Sequence, residues 1–101
     1  MTPYQKTLAE HRRITILRLL NDGGGVANES ILKDGLEEVG LEAGLTRAMV
    51  RDDLKFLETV GAIRQEWFGD KMVVAHLTER GADIAKGRVV IDGIKRPSLG
   101  E

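Results

Sequence analysis

Cysteine is absent from the 101 residues, so no disulfide can form and no thiolate can hold a metal. Aromatic side chains are scarce, only Tyr4, Phe56, Trp67 and Phe68, and any core must therefore be built from Leu, Ile, Val and Ala. No apolar run approaches the roughly 18 residues of a membrane span. The opening Met1-Thr2-Pro3-Tyr4 is not followed by the apolar stretch of a secretory leader. A soluble, cytoplasmic protein is the expectation. An excess of positive charge is also missing: the formal net charge is −1, which argues against a strongly basic nucleic-acid binder. A chain of this length holds one domain with a single modest core.

The charge that is present is unevenly placed. Residues 1–20 carry a net +3, residues 21–45 a net −5, residues 46–60 none, and residues 61–101 a net +1. The acidic second quarter should point away from any phosphate backbone, while neutrality overall still permits binding through a local basic stripe.

The fullest local signal runs from Leu45 to Ile63. Thr46 can cap a helix through its hydroxyl, with Leu45 and Val50 at the positions of a hydrophobic staple. Gly61 supplies the left-handed residue that ends it, and Ala62-Ile63 begins an extended run. Val50, Leu54 and Leu57 form a buried stripe, and Arg47, Arg51 and Lys55 fall four apart on a more exposed face. Asp52 is expected beside Ala48 and Thr59 on the exposed side, and Asp53 on the flank nearer Met49 and Phe56.

Upstream, Tyr4 to Asn21 reads as a helix with Ala9, Ile16, Leu17 and Leu20 on one face. Leu8, Ile14 and Leu19 widen that surface, either because the helix is central to the core or because it meets a dimer partner. The glycines at 23–25 end it; no Gly-Lys-Ser/Thr follows them, which sets aside a phosphate loop. Val26-Ala27 form a short strand, and Asn28 caps a helix from Glu29 to about Val39 with Ile31, Leu32, Leu36 and Val39 inward. Glu29 suits the helix dipole there. Gly40 to Gly44 is the turn into the next helix.

After Gly61 the apolar period changes from 3.6 to 2. A three-residue loop, Gly69-Asp70-Lys71, pairs Phe68 with Met72 and gathers Ile63, Trp67, Val73, Ala75 and Leu77 on one face, with Gln65 the exception. Thr78 then caps a short helix that contributes Ile84 and Ala85 to the core and closes at Gly87. Residues 88–101 are expected to hold a strand-like Val89-Val90-Ile91 and a tail that is mobile toward its end, beyond a domain spanning 1–87.

The order helix, short strand, helix, turn, helix, hairpin, helix resembles the winged helix-turn-helix superfamily. Thr46 to Glu58 followed by Gly61-Ala62-Ile63 is similar to the recognition helix and wing of many bacterial regulators, and Leu77-Thr78-Glu79-Arg80-Gly81 to the sequence that follows their second wing strand. Over about residues 8 to 90 the chain further resembles small proteins of Mu-like phages and prophages labelled as regulators of the arsenic-repressor type. That resemblance implies an α+β fold, mainly helical: a three-helix core, a β-hairpin wing and a C-terminal helix. It departs from arsenic-repressor relatives in having no cysteine, and His11 and His76 are too few and too far apart for a metal switch. No cofactor is expected.

Two functions follow. As a DNA-binding regulator, the chain would set Thr46 and Arg47 on phosphate, reach base edges or backbone with Arg51 and Lys55, and grip the adjacent groove with Arg64 and Lys71. As a protein-interaction module in phage morphogenesis or DNA packaging, it would use Met49, Phe56, Trp67 or Phe68, should they be exposed together. An enzyme is not expected. There is no nucleophile–base–acid set, and Asp52 and Asp53 make a poor catalytic pair because adjacent helical residues point about 100° apart. A homodimer is expected on general grounds, through the first helix or Arg88–Ile94.

Overall fold

A capping box starts the first helix. The Gln5 amide donates to the Thr2 hydroxyl (3.1 Å) and the Thr2 amide to the Gln5 side chain (3.0 Å), so α1 (Pro3–Asp22) begins one residue before Tyr4. It runs into the glycine triplet, where the Gly23 amide closes the last turn on Leu19 and Leu20. The computed structural model describes residues 1–97. Within it α1 packs against all three other helices and the hairpin, burying Ile14, Ile16, Leu17 and Leu20. The breadth of its apolar surface is thus explained by a central position.

Strand β1 (Val26–Asn28) follows, and Asn28 caps α2 (Glu29–Glu38) by accepting from the Ile31 amide at 2.9 Å. The buried face of α2 differs from expectation. Leu32 and Leu36 are buried, whereas Ile31 and Val39 stand 59% and 57% exposed. Ile31 lies about 100° around the helix from Leu32, and Val39 is already beyond the last turn. The inward place that completes the stripe, three residues before Leu32 and seven before Leu36, belongs to Glu29.

Helix α3 (Arg47–Thr59) starts on Thr46, whose hydroxyl accepts from the Met49 amide, and ends at Gly61, which takes φ +80°. Val50, Leu54 and Leu57 are buried as expected. β2 (Ile63–Phe68) and β3 (Met72–Leu77) form the hairpin in the register expected from parity, Phe68 opposite Met72 and Ile63 opposite Leu77. Gln65, the one polar side chain on the apolar face, is held by Glu58 of α3. That carboxylate accepts from both the Gln65 amide (2.8 Å) and its side chain (3.1 Å). β1 joins β3 on the other side, so the sheet has three antiparallel strands in the order β1-β3-β2 and the chain is α+β.

The segment Leu77 to Gly81 ties the last helix, α4 (Glu79–Ala85), to the end of α3. Thr78 donates its hydroxyl to the Gly61 carbonyl and accepts from the Gly81 amide, while Arg80 donates to the Val60 carbonyl at 2.8 Å. The Val60 carbonyl is one of those a helix end leaves unsatisfied, and Gly61 is the residue just beyond it. Gly81 is required for space. A Cβ there would lie 2.7 Å from Leu77 Cδ1 and nearer still to the Ala62 carbonyl oxygen.

Two expectations for the C-terminal segment are corrected. Val89-Val90-Ile91 is not a strand: it pairs with no strand of the sheet, and Val89 and Ile91 pack against the core as irregular chain. Nor are the residues up to 97 loose. Ile94 is buried, the Lys95 amide donates to the Glu10 carbonyl (3.1 Å), and Arg13 Nη1 donates to the Gly93 carbonyl (2.9 Å). They dock on α1 as part of the same body; the remainder of the expected tail, 98–101, lies outside the described residues.

Asp53, expected on the flank of α3 nearer Met49 and Phe56, is buried there. It sits on the buried stripe, three residues after Val50, and is 1% exposed. Arg12 Nε donates to Oδ2 at 2.6 Å and Arg13 Nε to Oδ1 at 3.1 Å, and the Arg13 guanidinium lies 3.9 Å over the Phe56 ring. Burial pushes the Asp53 carboxyl above its ordinary range, and the two guanidiniums pull it only part of the way back. The native state therefore holds this proton more tightly than the unfolded chain does. The stability linked to it is complete below the unfolded pKa and is lost as pH rises through the raised native one.

Removing the carboxylate strands two guanidiniums that have little access to water. Asp53→Ala should cost about 3–5 kcal/mol in denaturant unfolding. Asp53→Asn, which cannot titrate, should remove the pH-linked segment just described. Gly81→Ala should cost about 1–3 kcal/mol by forcing α4 away from Ala62, read as a lower urea midpoint with unchanged slope.

Candidate functional site

The exposed start of α3 and the hairpin loop beside it form the surface to which the expected site residues belong. Thr46 begins it, with its hydroxyl engaged by the Met49 amide. The first two turns then send their guanidiniums back toward α2. Glu29, 2% exposed at the start of that helix, accepts from Arg51 through both oxygens, Nε to Oε2 and Nη2 to Oε1, each at 2.9 Å. Arg47 Nε lies 3.3 Å from Oε1 of the same carboxylate. This two-bond fork suits a planar guanidinium and would not be reproduced by lysine. The Glu29 bond also holds the Arg51 proton above even the usual guanidinium value.

Arg51 reaches the hairpin as well. Its Nη2 lies 3.3 Å from the Lys71 carbonyl, and the guanidinium stands 5.1 Å from the centre of the Trp67 ring. One side chain thereby joins the start of α2, the second turn of α3 and the hairpin loop. Of the six residues nominated from sequence, Thr46, Arg47, Arg51 and Lys71 are gathered here. Lys55 stands exposed one turn further along α3. Arg64 is separated from them: opposite His76 in the register, it projects from the sheet face away from α3.

Charge on this face is mixed. Arg47, Lys55 and Lys71 are exposed, but so are Asp52 and Glu58, and Glu29 offsets one of its two guanidiniums. Asp52 is exposed as expected. Met49 and Phe56 are partly buried, while Trp67 and Phe68 are exposed on opposite faces of the hairpin. On the outer sheet face His76 Nε2 lies 2.9 Å from Glu66 Oε1.

Glu29 was not identifiable as part of this site from charge alone, where it reads as an acid at a helix start. The signal that finds it is its spacing, since it occupies the inward position of the Leu32–Leu36 stripe. A carboxylate in such a place needs a cationic partner. Among the described residues no group of three His, Asp or Glu side chains is placed to hold a metal ion. A groove of about 300 Å³ between α1 and α3 is lined by Leu8, Arg12, Arg13, Met49, Asp52 and Asp53. It presents no orphaned polar atom, because every buried side-chain nitrogen and oxygen among the described residues has a partner.

Arg51→Ala should release the hairpin loop while leaving the core intact. Trp67 is the only tryptophan, so its emission should shift to the red, and amide exchange at residues 69–71 should speed up. The unfolding midpoint should also fall, because Glu29 is 2% exposed and keeps only its 3.3 Å contact with Arg47.

Comparison with known proteins yields no matching family model and no matching solved structure. The chain is 41% identical over 90 residues to the uncharacterized protein gp26 of Escherichia phage Mu, an alignment spanning 89% of this chain and 91% of gp26. It is 35% identical over 77 residues to an uncharacterized protein of Haemophilus influenzae, covering 76% of this chain and 74% of that one.

Proposed function

The chain belongs to the family of the phage Mu protein gp26, and for it we propose a winged-helix protein that binds duplex DNA as a homodimer and regulates phage or prophage transcription in the cytoplasm. One observation carries the reading. Two helices joined across a glycine-containing turn leave the second, α3, with its N-terminal half outward and a hairpin loop alongside, the arrangement that lays a helix start on a phosphate backbone. Thr46, Arg47 and Lys55 are the contacting residues on this reading. Arg51 positions the surface through Glu29 and does not reach for bases. The hairpin contributes less than the winged-helix resemblance implies, since only Lys71 stays beside the helix and Arg64 faces away. The regulator label of the arsenic-repressor type enters without its metal switch, for want of ligands.

A second reading, a protein-interaction module of phage morphogenesis or packaging, is favoured by the cancelling charges of the α3 face and by the exposed Trp67 and Phe68. Salt dependence separates the two. Fluorescence anisotropy with the duplex flanking the chain's own gene should give a log affinity that falls with log salt at a slope of about −5.4, the signature of about six phosphates neutralised by Arg47, Lys55 and Lys71 of the two subunits. Arg47→Ala and Lys55→Ala, each removing one contact from both subunits, should each flatten that slope by about 1.8, and Asp52→Asn should tighten binding by removing a charge repelled by phosphate. A wild-type affinity no greater than that of a neutral control protein at low salt sinks the DNA reading and leaves the protein module.

A further inference from the structure

The Asp53 cluster is one anion short. Two guanidiniums, on side chains 10% and 15% exposed, meet a single carboxylate, so the group holds a net +1 largely out of water. Arg12 spends Nε and Nη2 on Asp53, while Arg13 spends Nε on Asp53 and Nη1 on the Gly93 carbonyl. One terminal nitrogen remains on each, Arg12 Nη1 and Arg13 Nη2. Every buried side-chain nitrogen among the described residues has a partner, so these two reach solvent. Both arginines line the groove of about 300 Å³ between α1 and α3, which is where that solvent enters.

The rest of the groove suits a body of hydrocarbon. Leu8 of α1 and Met49 of α3, each partly buried, form its walls. A cavity of about 70 Å³ adjoins it through Leu8, Arg12 and Met49 and continues to Leu41 and Leu45 in the turn before α3. An apolar cleft of a few hundred Å³ with few polar groups is the usual form of a small-molecule site. Asp52 also lines the groove, and its charge opposes an anion. It is exposed, however, and water and salt screen it. The two guanidiniums act from a partly desolvated place, where a charge is felt several times more strongly. The cations outweigh the rim.

We infer that the α1–α3 groove binds a small organic monoanion with an apolar body, a monocarboxylate of aromatic or branched aliphatic kind. Its carboxylate accepts from Arg12 Nη1, on the more buried of the two arginines, with the Arg13 guanidinium beside it. Two carboxylates then answer two guanidiniums. Its apolar body lies along Leu8 and Met49 toward Leu41 and Leu45. The site uses neither Arg47 nor Lys55 and does not depend on the DNA reading. Because the same guanidiniums fix α1 to α3, a bound acid acts on the joint that carries the outward helix.

Nuclear magnetic resonance of the full chain, with benzoate as the probe, tests it. Benzoate should move the Arg12 and Arg13 Nε–H signals and the Leu8 and Met49 methyl signals together, along one saturating curve. Acetate, which lacks the body, and benzamide, which lacks the charge, should each bind at least about tenfold more weakly. Asp52→Asn, at an exposed position, should tighten benzoate about twofold or more. Met49→Glu sets an acid three residues after the Thr46 cap, the capping-box pattern, and is thus compatible with an intact α3. It should weaken benzoate about tenfold or more. A benzoate response that never saturates overturns the inference. So does acetate or benzamide binding as tightly as benzoate, or a benzoate affinity that Met49→Glu leaves unchanged. None of these readouts involves DNA, so either reading can fail while the other stands.

Discussion

One buried carboxylate decides how the helices of this protein meet. Asp53 is taken out of water on the inward stripe of α3 and is met there by two consecutive arginines of α1, one of which continues to the Gly93 carbonyl and lies over Phe56. A charge that deep must be answered by groups of fixed geometry, and those groups come from α1 and the C-terminal segment. Apolar packing alone would tolerate some sliding of α1 over α3, since Leu, Ile and Val contacts have little direction. The Arg12 fork and the single Arg13 bond on one carboxylate do not. Burial raises the Asp53 pKa, and the two guanidiniums work against that rise. The arrangement is better understood as specifying the fit of α1 to α3 than as adding net stability.

Glu29 repeats the device nearer the surface, with different consequences. It too occupies an inward place on a helical stripe, and it too is met by two arginines. Those arginines belong to the outward helix, however, so the same contact that joins α2 to α3 takes charge away from the face on which a nucleic acid would lie. This is why the basic stripe seen at Arg47, Arg51 and Lys55 is weaker in three dimensions than in one. Its middle member is a structural link, and Lys55 alone has no acid drawn to it from α2.

Much of the fold was legible because local rules and tertiary packing agree. Thr46, Thr78 and Asn28 cap the helices they were expected to cap, and the parity of Ile63, Trp67, Val73 and Ala75 fixed the hairpin register. Gln65, the exception in that parity, is explained only by Glu58, a neighbour from another element. The misjudged residues share a cause. Ile31 and Val39 were placed inward for being apolar, Glu29 was read only as an acid suited to a helix start, and Asp53 was placed on a flank. For Ile31, Glu29 and Asp53 helical phase, set by Leu32 and Leu36 or by Val50 and Leu54, outweighed residue type, while Val39 lies past the end of its helix. Val89-Val90-Ile91 has strand-forming side chains yet runs as irregular chain with Val89 and Ile91 against the core, a tertiary contact that no local sequence contains. The candidate site was legible as a set of cations on α3. Which of them face outward depended on a carboxylate about twenty residues away.

The Arg51 link bears on the entropy of association. Loops and long side chains that present a surface ordinarily lose conformational freedom when a partner arrives, and that loss subtracts from affinity. Here the guanidinium is already fixed by Glu29, by the Lys71 carbonyl and by the Trp67 ring, and with it the positions of the α3 start and the hairpin loop. The surface is preorganised during folding. A molecule that docks on it meets a rigid template and needs little adjustment from it, so its association should be fast and should discriminate partners by shape.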